Sequence, residues 1–214
     1  MQQQLYSRTT RTRVQQKKLP VFSLCLIAGG TLCMLLALLQ RRKKGIPEAA
    51  SPAQFSPSTP GDIKAYLQML QPSSRRKFET FLTALSKTPW RARITSGYRT
   101  YDAQQKLRDR GNTLAVEPGY SPHNYGIALD FNFSNGHQVL NSTTPIADWM
   151  ASGIPTLAKS LGMRWGGAFR NADRVHFDTD TRWSKQKATR LMAIARSTYA
   201  SSWASHLRDV YKEG

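Results

Sequence analysis

The sequence predicts an α+β domain with a small, mainly antiparallel sheet flanked by helices, preceded by one transmembrane helix. The transmembrane helix is indicated by residues 19–39, a run of 21 residues without a charged side chain. The domain is indicated by residues 61–214, where helical patterns lie on both sides of several short strand-like segments. Helices that bracket a small sheet are typical of the α+β class.

The run 19–39 is long enough to cross a membrane, because a helix rises about 1.5 Å per residue and the hydrocarbon core is about 30 Å thick. A secretory signal peptide is the alternative, since a basic segment precedes the run. Its apolar core is shorter, at about 7–15 residues, and it ends at a small-residue cleavage site. Here the run ends at the basic sequence QRRKK. We therefore expect a retained anchor that contacts the lipid bilayer.

The anchor divides the chain into four predicted regions. They are a basic N-terminal segment (1–18), the anchor (19–39), a basic and then Pro/Ser-rich linker (40–60) and the globular domain (61–214). Five basic residues precede the anchor and four follow it directly. The positive-inside rule therefore does not decide its orientation.

The chain is strongly basic, with a formal net charge of +18 at pH 7. Such a charge suits a polyanionic neighbour: acidic lipid, anionic cell-wall polymer or nucleic acid. Both cysteines, Cys25 and Cys33, lie in the anchor. The globular domain therefore has neither a disulfide nor a cysteine-ligated metal site.

Within the domain, helices are predicted where apolar residues recur every three or four positions, and strands where short runs are rich in β-branched and aromatic residues. In chain order, the predicted elements are helices over 62–70 and 73–87, a strand within 91–99, a helix over 102–111, strands over 126–133 and 137–140, a helix over 146–161, a strand over 174–178, and one or two helices over 184–211.

Local signals justify the bounds of these elements. The helix over 73–87 opens on a serine cap and has one apolar face, formed by Phe78, Phe81, Leu82 and Leu85. Glycine ends the helix over 102–111, and the turn at 134–136 joins the two middle strands. Gly153 and Pro155 are expected to interrupt or bend the helix over 146–161.

The segment SPHNYGIALDF, residues 121–131, places a histidine and a carboxylate around an apolar strand. Side chains alternate along a strand, so Gly126, Ala128 and Asp130 are expected to share one face. The small residues predict a cleft wall that a substrate approaches closely. His123 lies just before the strand, where a loop can fold its imidazole towards Asp130.

A second His/Asp pair follows in the sequence DRVHF, which contains Asp173 and His176. Two imidazoles and one carboxylate, from His123, Asp130 and His176, are the ligand types of a catalytic Zn²⁺ site with one open position. Asp173 is then the nearby carboxylate that accepts a proton from water.

These residues form motifs that resemble a known family. The pattern S-x-H-x-x-G-x-A-x-D over 121–130, followed by D-x-x-H over 173–176, resembles zinc peptidases of the D-alanyl-D-alanine carboxypeptidase and VanY type, peptidase family M15. The segments SGYRT (96–100) and LGMRWGG (161–167) are similar to two further motifs of that family. HNYGIALDFNF together with WGG is most similar to the L-alanyl-D-glutamate endopeptidase branch, which includes phage endolysins.

The resemblance implies a role for each matching residue. It implies a Zn²⁺ cofactor with ligands His123, Asp130 and His176, and Asp173 as general base. Arg99 is implied to hold a substrate carboxylate or the developing oxyanion. Ser121, Gln104 and Trp165 are expected to contact the substrate, with core packing as the alternative for Trp165. The sequence departs from the family pattern at 168–169, where Ala-Phe follows WGG and many relatives have a polar residue.

The function expected from the sequence is a membrane-anchored zinc peptidase that hydrolyses peptidoglycan stem peptides, with the L-alanyl-D-glutamate bond favoured. The catalytic domain is expected to face the cell wall with the N-terminus in the cytoplasm, or to lie at a virion membrane if a phage encodes it as a virion-associated or lysis enzyme. The basic sequence RRKK at 41–44 then lies on the translocated side, against the charge rule.

Two alternatives stay open from the sequence. A D,D-carboxypeptidase or dipeptidase has the same metal chemistry and a different pocket. A non-catalytic module that binds cell wall or nucleic acid has no need for a general base beside metal ligands. No specific nucleic-acid partner is expected.

Overall fold

The computed structural model describes residues 55–212 and confirms the α+β class. Its helices are α1 Pro60–Gln68, α2 Pro72–Leu85, α3 Tyr101–Asp109, α4 Ile146–Ala151, α5 Ile154–Ser160 and α6 Lys185–Tyr199. Its strands are β1 Arg91–Ser96, β2 Ala128–Ser134, β3 Val139–Leu140, β4 Arg164–Trp165 and β5 His176–Asp178. Three short 3₁₀ segments are also present, at Pro122–Tyr125, Gly166–Ala168 and Ala200–His206.

The sheet is antiparallel at every pairing of the described strands, in the order β1-β2-β5-β4, with β3 also paired to β2. Strand β2 is therefore central. Its residue Asp130 lies opposite His176 of β5 and Ser96 of β1. This register brings together residues that are far apart in the sequence.

An aromatic core lies between the sheet and helix α2. The ring of Phe81 from α2 lies 5.9 Å from that of Phe131 and 5.7 Å from that of Phe177, measured between centroids. All three side chains are fully buried. The predicted apolar face of this helix is confirmed. It packs the helix across β2 and β5, the strands that carry Asp130 and His176.

The start of α2 differs from the prediction. The helix begins at Pro72, whose fixed φ suits the first helical position, and Gln71 rather than a serine is the N-cap residue. The Gln71 side chain makes no cap hydrogen bond. Ser74 lies within the first turn, is buried, and pairs with the Thr179 hydroxyl at 2.6 Å.

The predicted interruption of the helix over 146–161 is confirmed. Helix α4 ends at Ala151, and α5 begins at Ile154 after Gly153, which has a φ of +74°. The segment 184–211 likewise divides into α6 and the 3₁₀ segment Ala200–His206.

A second apolar cluster joins the C-terminal helices to residues 119–127. The Tyr125 hydroxyl donates to the Gly119 carbonyl at 2.8 Å, and its ring centroid lies 4.9 Å from that of Trp183. Gly119 has a φ of +85°, and a Cβ there would lie 2.3 Å from the sulfur of Met192 on α6. Residues 185–211 thus pack directly on the turn that carries His123.

Asp180, two residues after β5, makes hydrogen bonds to the C-terminal residues that form this cluster. Its carboxylate accepts from Lys187 at 2.6 Å and from the Tyr211 hydroxyl at 3.0 Å. Burial alone would raise the pKa of Asp180, but these hydrogen bonds outweigh burial and lower it.

No helix within residues 55–212 is long and apolar enough to cross a membrane. The predicted anchor over 19–39, the basic segment 1–18 and most of the linker 40–60 lie outside the described residues. The anchor therefore stays a prediction.

Candidate metal centre

Three separate elements position the predicted metal ligands. His123 lies in the 3₁₀ turn Pro122–Tyr125, which ends at Gly126 with a φ of +69°. Asp130 lies on β2 and His176 directly opposite it on β5. Gly126 belongs to the turn and precedes the strand, so the expectation that it shares a cleft-facing strand face with Ala128 is wrong. Neither residue lines the cleft.

The three side chains converge with one ligand atom each. His123 Nε2 lies 3.1 Å from Asp130 Oδ1 and 3.1 Å from His176 Nδ1. The third side, from His176 Nδ1 to Asp130 Oδ1, measures 3.2 Å. In a tetrahedral zinc site with ligand atoms about 2.0 Å from the metal, neighbouring ligand atoms lie about 3.3 Å apart. The group therefore fits a zinc ion in both donor type and spacing.

Electrostatics favour a cation at this point. Burial alone would raise the pKa of Asp130, yet the adjacent imidazoles of His123 and His176 lower it. Burial alone would lower the pKa of His176, but hydrogen bonds to Asp130 and Asp178 outweigh burial and raise it to about 10. Both shifts show that these buried carboxylates stabilise positive charge beside them.

Asp173 lies in the cleft beside the three ligands. Burial raises its pKa, and the charge of Asp130 adds to the effect. A carboxylate with a raised pKa is better suited to proton transfer near neutral pH. The close approach of this loop depends on Gly166 of the WGG motif, because a Cβ there would lie 2.3 Å from the Asp173 carbonyl oxygen.

Arg99 is fixed at the edge of the same cleft. It donates to Gln104 Oε1 at 2.7 Å and to Ser96 Oγ at 2.7 Å, and it lies 3.8 Å from Asp130. Burial lowers its pKa. Gln104 in turn donates to the Val116 carbonyl at 2.8 Å. Gln104 lines the cleft, and both ends of its amide are engaged in holding Arg99 and the loop.

Ser121 also lines the cleft, and its hydroxyl accepts from the His123 backbone N–H at 3.4 Å. Trp165 requires a correction, because the structure places it in the core. Its ring centroid lies 5.8 Å from that of Trp149, and its Nε1 donates to the Arg174 carbonyl at 2.7 Å. The aromatic residue that lines the cleft is Phe169, with its ring 5.8 Å from that of His176.

The cleft has a volume of about 540 Å³ and two unlike walls. One wall is mainly apolar and comes from α3 and the loop after it, and the other comes from residues 169–173. The apolar wall includes Leu107, Leu114, Ala115 and Val116, and the second includes Phe169, Arg170, Asn171 and Asp173.

Two residues that contact the site were missed in the sequence, Asp178 and Arg164. Asp178 Oδ2 lies 3.2 Å from His176 Nε2, and Arg164 pairs with the Asp178 carboxylate at 2.8 Å. The alternation of β5 could have revealed Asp178, because residues two apart in a strand share a face. The other two histidines were predicted to have no role in the site. His137 lies in an exposed turn, and His206 stacks on Tyr199.

Comparisons with known proteins place this geometry in context. Residues 115–179 match the family model described as D-alanyl-D-alanine carboxypeptidase, of the M15 peptidases. Among curated proteins, the peptidoglycan L-alanyl-D-glutamate endopeptidase CwlK of Bacillus subtilis is 29% identical over 90 residues. That match covers 36% of this chain and 53% of CwlK, so the chain spans about half the length of this curated relative.

Two solved structures are among those similar to this chain. The L-Ala D-Glu endopeptidase ChiX of Serratia marcescens is 21% identical with a TM-score of 0.42, covering 56% of this chain and 86% of ChiX. A vancomycin resistance D,D-pentapeptidase, VanY, solved in complex with Zn(II), is 16% identical with a TM-score of 0.42. That match covers 57% of this chain and 77% of VanY.

Proposed function

Because residues 115–179 match a family model of the M15 peptidases, we propose that this chain is a zinc-dependent peptidase that hydrolyses peptidoglycan stem peptides. The observation that carries the proposal is the triangle of His123, Asp130 and His176 ligand atoms, with sides of 3.1–3.2 Å. Asp173 and Arg99 line the same cleft. Metal ligands, a base and a fixed cation around one cavity are the parts required for metal-assisted peptide hydrolysis.

When bound, zinc supplies a Lewis acid that polarises the scissile carbonyl and lowers the pKa of the attacking water. Asp173 accepts the proton of that water and then donates it to the leaving amine. Arg99 is held by Ser96 and Gln104, so its guanidinium is already oriented to stabilise a substrate carboxylate or the oxyanion. His123 donates from Nδ1 to the Gly97 carbonyl at 2.7 Å, which leaves Nε2 unprotonated for the metal.

Within this function, we propose cleavage of the L-alanyl-D-glutamate bond. Support comes from the residues of the motif HNYGIALDFNF over 123–133. Further support comes from the similarity to CwlK, which is described as a peptidoglycan L-alanyl-D-glutamate endopeptidase. A D,D-carboxypeptidase is the second candidate, because the family model carries that description.

Incubation of the full-length chain with purified sacculi tests this function. We expect release of soluble muropeptides, complete loss of release in a chelator, and recovery on addition of zinc. Mass spectrometry of the products distinguishes a cut after L-alanine from the loss of a terminal D-alanine. Retention on sacculi without any product, with or without zinc, would instead indicate a binding module.

We also propose that residues 19–39 anchor the enzyme in a membrane, with residues 61–214 facing the cell wall or, for a phage protein, at a virion membrane. Support comes from the uncharged run of 21 residues and from the location of the proposed substrate. In intact spheroplasts, added protease is expected to degrade the catalytic domain. Protection of the domain until the membrane is lysed would contradict this orientation.

A further inference from the structure

The two ring nitrogens of His176 have opposite surroundings. Nδ1 points to the other two ligand atoms, at 3.1 Å from His123 Nε2 and 3.2 Å from Asp130 Oδ1. Nε2 points away from them, to Asp178 Oδ2 at 3.2 Å. A neutral imidazole carries one proton, and a nitrogen that binds a metal must be the unprotonated one. His176 therefore suits the metal only when its proton is on Nε2.

The Asp178 carboxylate is placed to accept a hydrogen bond from His176 Nε2–H. Its side chain is fully buried, and Arg164 donates to it from Nε at 2.9 Å and from Nη2 at 2.8 Å. The Asp180 backbone N–H donates to the same carboxylate at 3.2 Å. All of these partners donate, so Asp178 acts towards them as a hydrogen-bond acceptor, and an ionised carboxylate has no donor of its own.

Arg164 is itself held in place on both sides of its guanidinium. Its Nη1 donates to the Trp183 carbonyl at 3.2 Å, and its guanidinium lies 5.0 Å from the centroid of the Phe169 ring. The Phe169 ring also lies 5.8 Å from the His176 ring, so one aromatic side chain lies beside both Arg164 and His176. The orientation of Asp178 is thereby fixed independently of the metal.

We propose that Asp178, held by Arg164, is a positioning residue that keeps His176 in the tautomer with its proton on Nε2 and thereby sets the affinity of the site for zinc. The proposal rests on the metal centre of the proposed function. It does not depend on which peptide bond is cut. Carboxylates and carbonyls that orient metal-binding histidines in this way typically change metal affinity about 10–100-fold when they are removed.

Asp178→Asn is the informative substitution, because asparagine has the same shape and a different set of donors. Its NH₂ group takes the place either of Oδ1, facing Arg164 Nε and the Asp180 N–H, or of Oδ2, facing Arg164 Nη2 and His176 Nε2. In the second orientation the NH₂ donates to Nε2 and drives the proton of His176 onto Nδ1, the nitrogen that faces the metal. We therefore expect the substitution to weaken zinc binding, because it disfavours the His176 tautomer that has its proton on Nε2 and a free Nδ1.

Asp180→Asn is the matched control. Asp180 is also buried, lies two residues away, and is paired with a cation, Lys187, at 2.6 Å. No hydrogen bond joins Asp180 to any of the three ligands in the part of the chain that the structure describes. The control therefore reproduces the loss of a buried, paired carboxylate without contact with His176.

Zinc affinity of the full-length variants in detergent is measured by competition with a chromophoric chelator, on samples whose helical content matches the wild type. We expect Asp178→Asn to bind zinc about 10–100-fold more weakly. We expect Asp180→Asn to remain within about twofold of wild type when its near-UV circular dichroism matches the wild type, which shows that residues 185–211 stay packed on the His123 turn. Equal weakening in both variants, or unchanged affinity in Asp178→Asn, would overturn the proposal. Hydrolysis of sacculi is scored separately, so a wild type that binds zinc and cuts nothing refutes only the peptidase function.

A measurement on the wild type keeps the test independent of how the variants fold. The chain has four histidines, so ¹⁵N-labelled histidine gives a simple NMR spectrum in which tautomers are distinguished by their ring ¹⁵N shifts. In the zinc-loaded protein we expect His176 to be protonated on Nε2 and metal-bound through Nδ1. Metal binding through Nε2 would overturn the proposal.

Discussion

Asp173→Asn is expected to lower the turnover of sacculi about 10²–10⁴-fold, the range by which a positioned general base accelerates proton transfer. Asparagine is close in shape to aspartate and cannot accept the proton of the attacking water. Because Asp173 is not one of the three converging ligands, zinc affinity is expected to change little. The measurement is the initial rate of muropeptide release at saturating zinc.

Asp148→Asn is the control for this substitution. Asp148 is also half-buried, lies in the first turn of α4, and does not line the cleft. Its replacement is expected to leave the rate near that of the wild type. A rate in Asp173→Asn within tenfold of wild type would show that another group accepts the proton.

His123→Ala is expected to abolish the response of the chain to zinc. Binding to the folded state stabilises it, by about 4 kcal/mol when free zinc is about 1,000 times its Kd. The wild type should therefore show a higher Tm when zinc is added, and the variant should show no rise. Hydrolysis should also be absent and should not recover with excess zinc, because one of the three ligand atoms is lost.

The fold should survive this substitution, because the aromatic core around Phe81 does not include His123. His137→Ala is the control, since His137 lies in an exposed turn outside the cleft. It should keep both the zinc-dependent rise in Tm and hydrolysis. An equal rise in Tm for His123→Ala would show that zinc binds elsewhere.

The convergence of the three ligands was predictable from the sequence, because each ligand belongs to a motif with fixed internal spacing. The structure brings His123, Asp130 and His176 within about 3 Å of one another, through a turn and a cross-strand pair. The order of most helices and strands was equally accessible, since the aromatic face of α2 and the break at Gly153 are local signals.

Other features depended on tertiary contacts that no local pattern contains. Asp178 lies fourteen residues after Arg164 in the chain. The side chain of Arg164 reaches it only because β4 pairs with β5. Trp165 belongs to a motif that suggested the cleft, yet packing against Trp149 places it in the core. A motif gives the identity of a residue and leaves open which side of the backbone its side chain occupies.

The packing of residues 185–211 on the His123 turn has a consequence for biosynthesis. During translation, the turn at 119–127 emerges well before the helix that supplies Met192 and before Tyr211. A nascent chain therefore has all three metal ligands available before the turn that carries one of them is supported. We expect the His123 turn to reach its final packing only after residues 185–211 have been synthesised.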